Sequence, residues 1–105
     1  MDALPPLDKE GYLRELDAWT PQVAAALATR EGIQLEATHW EIIEVLRAFY
    51  ARYKLAPNNR ALAKAVTGDL GAEKGRSIYL MRLFGGSPAK TAARIAGLPR
   101  PTHCL

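Results

Sequence analysis

Residues 38–53 read THWEIIEVLRAFYARY, and their periodicity decides the fold class. Ile42, Ile43, Leu46, Phe49, Tyr50 and Tyr53 recur at three- and four-residue intervals and share one broad face. Glu41, Glu44, Arg47 and Arg52 lie on or near the other face. Thr38 and Glu41 have capping-box spacing, so the helix is expected to open there. His39 falls in its first turn, beside Trp40, and reads as a surface or partly packed histidine because it has no co-ligand in sequence.

Helical signals continue on both sides. Upstream, TPQVAAALATREG (20–32) offers Thr20 as N-cap, Pro21 at the first helical position and Gly32 as stop. Its apolar stripe is Val23, Ala24, Leu27 and Ala28. Downstream, LAPNN (55–59) breaks the chain. Asn58 or Asn59 then caps a helix through about Leu70, with Leu62, Ala65 and Val66 inward, weakened and ended by Gly68 and Gly71. A further helix is expected over 73–84, with Ile78, Met81 and Leu83 as core candidates. GGSPAKTAARIAG (85–97) completes the set. Ser87 caps, Pro88 opens, Gly97 closes, and Ala89, Ala92, Ile95 and Ala96 form a small-residue face. Lys90 and Arg94, four apart, project together on its other side. At the start, LPPLDKEGYLREL (4–16) reads as a short β-hairpin turning at 8–11, with Tyr12, Leu13 and Leu16 as strand residues.

A chain of 105 residues supports one domain with a modest core. The globular body is expected over 1–97 and a C-terminal arm over 98–105. No segment approaches the roughly 20 apolar residues of a membrane helix. The opening MDALPPLDKE lacks the basic start and apolar stretch of an export signal, and a single cysteine allows no internal disulfide. A cytoplasmic protein is expected. Charge is divided along the chain. Residues 1–50 hold four Lys/Arg and nine Asp/Glu, net −5, whereas 51–105 hold ten and two, net +8. This division suits an anionic partner surface or nucleic acid beside the second half, or mutual neutralisation across the fold.

Most enzyme chemistries find no support. There is no Walker or Rossmann phosphate loop and no nucleophile-elbow motif. One Cys and two His cannot complete a standard structural zinc site. The carboxylates are scattered. No cofactor is expected. What remains is Cys104, in GLPRPTHCL (97–105), on a run stiffened by Pro99 and Pro101. The eight residues after Gly97 reach roughly 25 Å when extended. Thiolate is the reactive form of cysteine, and Arg100, His103, Lys90 and Arg94 are the cations that would favour it. A thiol on a stiff arm suits carrying sulfur between partners, since fewer unfolded states lower the ordering cost of insertion. The alternative is a frayed tail with an incidental cysteine.

AARIAGLPRPTHCL (92–105) resembles the C-terminus of the DsrC/TusE family of sulfur-relay proteins, which end in a pattern like I-A-G-L-P-x-P-x-x-C-x. DKEGYLRELDAWT (8–20), EGIQLEATHWEIIEVLRAFY (31–50) and GAEKGRSIYLMRLFGGSPAKTAARIAG (71–97) also look like family segments, in the same order. The resemblance implies a mainly helical α+β fold with an N-terminal β-hairpin, a helix-turn-helix-like core and a mobile C-terminal arm. It implies that Cys104 is the sulfur-bearing residue of a sulfurtransferase. Members serving dissimilatory sulfite reductase have a second cysteine whose position here is Ala93, so the chain looks like the single-cysteine TusE type. His103 stands where many members have glycine. The implied partners are an upstream persulfide donor complex and a downstream acceptor such as a tRNA thiolase, with no membrane. Arg60, Lys64, Lys90, Arg94, Arg100 and His103 are the candidate partner contacts. Three rivals stand beside this reading: a carrier in oxidative or dissimilatory sulfur metabolism, a helix-turn-helix nucleic-acid-binding regulator built on helices near 39–53, 59–70 and 73–84, and a structural subunit that does not depend on its cysteine.

Overall fold

A computed structural model describes residues 4–102. Five α-helices follow a 3-10 turn at Leu16–Ala18: α1 (Pro21–Arg30), α2 (Ala37–Tyr53), α3 (Asn59–Leu70), α4 (Ser77–Phe84) and α5 (Pro88–Ile95). The organising element is α5. It packs against each of the other four helices, while α2 and α3 also pack together. Its composition explains this position. Ala89, Ala92, Ala93, Ile95 and Ala96 are all fully buried, and their small side chains let several helices approach one axis. Ile42, Ile43 and Leu46 of α2, Leu62 and Val66 of α3, and Leu80 and Phe84 of α4 close around them.

Local chemistry sets most boundaries. The Thr20 hydroxyl accepts from the Val23 N–H at 3.1 Å, with Pro21 at the first helical position. The Asn58 side chain accepts from the Ala61 N–H at 2.9 Å. Asn59 does something else. Its Oδ1 accepts from the Ala89 N–H at 2.8 Å, so α3 supplies a cap for α5. Ser87, the expected cap, makes no side-chain capping bond. α3 runs straight through Gly68 and stops at Gly71.

Other expectations need correction. α2 opens at Glu36, not Thr38. The Glu36 N–H donates to His39 Nδ1 at 3.1 Å, and Glu41 instead meets Lys74 at 2.7 Å. His39 is buried. Its Nε2 lies 3.0 Å from the Leu83 carbonyl and its ring meets the Phe84 ring edge-on at 5.3 Å. With Nδ1 accepting, Nε2 is the donor, and the imidazole ties α2 to α4. α4 starts at Ser77, four residues later than expected, after a turn over 72–75. Its buried residues are Leu80 and Phe84, while Ile78 and Met81 face solvent at 50% and 44% exposure. Tyr53, placed on the apolar face of α2, is 53% exposed.

The expected hairpin reduces to a turn closed by one antiparallel bridge, Leu7 with Leu13. No strand forms among the described residues, so the observed fold is mainly helical. Pro5 and Pro6 have no N–H to extend a ladder. The Asp8 carboxylate takes the N–H groups of Glu10 and Tyr12, both at 2.9 Å, and Leu16 turns into the 3-10 segment. Among the described residues, no helix is long and apolar enough to cross a membrane.

Candidate functional site

Cys104 and His103 lie outside the described residues; what is observed is the root of the segment that bears them. α5 ends in a left-handed turn at Gly97, φ 74°. The Leu98 N–H donates back to the Ala93 carbonyl at 2.9 Å. That leaves the last carbonyls of the helix in need of donors. Trp19 Nε1 donates to the Ile95 carbonyl at 2.9 Å, and Arg47 Nη1 donates to the Ala96 carbonyl at 2.6 Å. The Arg47 guanidinium also stands over the Trp19 indole, 3.8 Å from its ring centroid. Burial pushes Arg47 below its ordinary value, yet a guanidinium keeps its proton at neutral pH and supplies a cation to the negative end of α5. A side chain at position 97 would run into the Trp19 indole, so glycine is required for contact as well as for φ.

Beyond this lock the chain stays on the protein surface. Leu98 is 3% exposed, Pro99 is half-buried and Pro101 is buried. The root of the expected mobile arm is therefore packed. Arg100 is exposed and reaches Glu10 at 3.4 Å, which brings the segment beside the N-terminal turn.

That turn presents Tyr12, which is 2% exposed and whose hydroxyl has no hydrogen-bond partner among the described residues. The Arg94 side chain passes close over Gly11, and its guanidinium lies 5.5 Å from the Tyr12 ring centroid. Arg94 is held there by Glu31, with Nε to Oε2 at 2.5 Å and Nη2 to Oε1 at 3.3 Å, and by Thr91 at 3.2 Å. The bond to Glu31 raises Arg94 above its ordinary value. Burial pushes the Tyr12 phenol up, partly opposed by Arg94.

The remaining candidates divide by environment. Arg60 and Lys64 are exposed on α3. Lys64 lines a groove of about 440 Å³ between α2 and α3, together with Phe49, Arg52, Tyr53 and Asp69. Lys90 is half-buried and does not share the pairing of Arg94. Sequence reasoning grouped Arg94 with Lys90 and missed Glu31, Trp19 and Arg47 altogether. The available signal for the lock was a buried glycine turn needing donors, with a tryptophan set just before an N-cap. Ala93, where the sequence resemblance implies a second cysteine in part of the family, is fully buried.

Residues 3–105 match the family model described as DsrC like protein. The Sulfurtransferase TusE of Salmonella paratyphi A is 48% identical over 98 residues, covering 93% of this chain and 90% of that protein. The NMR structure of Allochromatium vinosum DsrC superposes with a TM-score of 0.85 at 49% identity, over 94% of this chain and 88% of that one. The oxidized gamma-subunit of the dissimilatory sulfite reductase (DsrC) from Archaeoglobus fulgidus gives 0.82 at 38% identity, over 96% and 92%.

Proposed function

Since the chain belongs to the DsrC-like protein family, we propose that it is a sulfurtransferase of the relay kind, which accepts sulfur on Cys104 and passes it on in the 2-thiolation of tRNA wobble uridine. The observation that carries this reading is the single cysteine. A fold superposing on DsrC and a sequence close to TusE here contain one thiol, with alanine at position 93. Overall identity does not choose between the two names, since 48% and 49% are equivalent. The cysteine count favours the TusE-like reading, because a one-thiol chain cannot close a disulfide on itself.

The chemistry follows from that count. The Cys104 thiolate attacks the outer sulfur of a donor persulfide. The sulfur–sulfur bond of the donor breaks, its cysteine leaves as thiolate, and Cys104 holds the transferred sulfur as a persulfide. No net oxidation occurs, so no cofactor is needed. Passing the sulfur on repeats the exchange with an acceptor. The packed root fixes where the C-terminal segment leaves the body. The basic second half favours an acidic docking surface on the upstream persulfide donor complex, with Arg60 and Lys64 the best exposed of the candidates. A tRNA thiolase is the acceptor, and the relay operates in the cytoplasm.

The test is complementation. In Salmonella cells lacking TusE, the wild-type chain restores 2-thiouridine in tRNA, read by nucleoside mass spectrometry, and Cys104→Ser does not. Equal restoration by Cys104→Ser contradicts the proposal. Persulfide formation without restored thiouridine favours the carrier in oxidative or dissimilatory sulfur metabolism.

A further inference from the structure

Residues 45–53 of α2 and 61–69 of α3 frame an open groove of about 440 Å³. Its floor is apolar and low. Ala48, Ala61, Ala65 and Gly68 carry little or no side chain, so another backbone can come close. Phe49 and Tyr53 form a wall, with ring centroids 4.7 Å apart and planes tilted by 51°. Tyr53 is 53% exposed, and Leu55, just past the helix end, is 40% exposed. Arg52, Lys64 and Asp69 are the charged residues of the lining, and none has an ion-pair partner among the described residues. A contiguous face of aromatic, small and unpaired charged residues marks an interaction surface.

We propose that this groove receives an amphipathic helix of a partner protein, its apolar stripe seated on Ala48, Ala61 and Ala65 and its carboxylates reaching Arg52 and Lys64. Shape, charge and chain length fix the occupant. Residues 45–53 run about 12 Å along α2, a little over two turns, and a groove between two helices is the shape a third helix fills. Two cations against one carboxylate select an acidic flank. Asp69 lies beyond Lys64 by about 7–8 Å along α3, so the docked helix also carries a cation one to two turns further on. The three residues outside the described range at each end of this chain are too few for one helical turn. A second copy does not fit either. The exposed apolar residues of α4, Ile78 and Met81, stand beside Arg76 and Arg82, which the cations of the groove repel. A phosphate backbone would meet Asp69 and only two cations over an apolar floor. The same α2 bears Arg47, which donates to the Ala96 carbonyl, so a helix docked here is held in fixed relation to the end of α5. That the partner is the persulfide donor rests on the proposed function; the groove and the chemistry of its occupant do not.

The probe is a synthetic peptide of about 16 residues, stapled as a helix, with leucines on one face and glutamates flanking them. Its binding to the full chain is followed by fluorescence anisotropy and by amide NMR spectra. The acidic peptide binds and shifts resonances of α2 and α3. A peptide with lysine in place of each glutamate binds about tenfold more weakly or worse. Ala48→Glu sets a carboxylate at an exposed position on the groove floor and weakens the acidic peptide by about tenfold or more, and Lys64→Glu does likewise. Ile78→Glu adds the same charge on α4, outside the groove, and leaves the affinity within about twofold. Circular dichroism melts establish that each variant is folded. No binding, equal binding of the two peptides, or wild-type affinity in folded Ala48→Glu and Lys64→Glu each overturn the docking site. So do resonance shifts centred on α4, displacement of the peptide by oligouridine, and self-association of the chain through the groove. No sulfur moves in this assay, so a failed complementation leaves the docking site standing, and a failed peptide leaves the Cys104→Ser test standing.

Discussion

The arm root and the α2–α3 groove are built from the same kinds of residue and use them in opposite ways. At the root, Arg47 lies 3.8 Å over Trp19, and both donate to carbonyls at the end of α5. At the groove, Arg52 lies 5.4 Å from the Tyr53 ring, and both face solvent. The first pair is committed to the fold. The second leaves an aromatic face and a cation open beside Lys64. A basic residue in this chain is thus read by what it faces: Arg47, Lys74 and Arg94 have internal partners, while Arg52, Arg60 and Lys64 are exposed.

Substitutions sharpen that contrast. The largest effect is expected from Gly97→Val, which forces a β-branched residue into positive φ and against the Trp19 indole; unfolding in urea should show a loss of about 3 kcal/mol or more. Arg47→Met keeps the aliphatic stem and strands the Ala96 carbonyl, for a loss of about 1–3 kcal/mol in the same assay. Arg94→Gln breaks a partly exposed pair and costs about 1 kcal/mol or less, diminishing further in high salt. Alkaline titration gives a smaller signal. Tyr12 holds its proton more tightly folded than unfolded, so its contribution is complete below the unfolded value near 10 and is lost as pH rises through the higher folded value. Tyr12→Phe should flatten that part of the stability curve. Lys64→Gln should change stability by no more than about 0.5 kcal/mol while weakening salt-sensitive association with an acidic donor. A Lys64→Gln loss as large as that of Arg47→Met would erase the distinction between root and groove.

The sequence revealed the elements whose signals are local. Thr20–Pro21, Asn58 and the Pro88…Gly97 pair sit within a turn of the helix ends they mark, and each end fell where these residues place it. α4 was legible as a helix but not as an oriented one. SIYLMRLF has one charged residue in eight, so periodicity offers no solvent face, and Leu80 and Phe84 go inward because of where α5 lies. Its start was misread because Gly75 packs against Thr67 and the Ala63 backbone on α3, a contact that holds 72–75 in a turn. The hairpin was overread from turn chemistry that the Asp8 side chain satisfies without strands. The arm root was invisible for a plainer reason: Trp19 and Ile95 are 76 positions apart, and no local pattern announces that a distant indole will cap a helix. Around the candidate site, Cys104 is a reading of the sequence alone, whereas Trp19 and Arg47 at the end of α5 needed the fold to bring them together.

The central claim is that Cys104 carries sulfur. Incubation of the reduced chain with a persulfide donor, followed by intact mass spectrometry with and without reductant, addresses it directly. The account predicts a gain of one sulfur atom that reductant removes and that Cys104→Ser never acquires. An unmodified wild-type mass with a competent donor, or the same gain on Cys104→Ser, would contradict it.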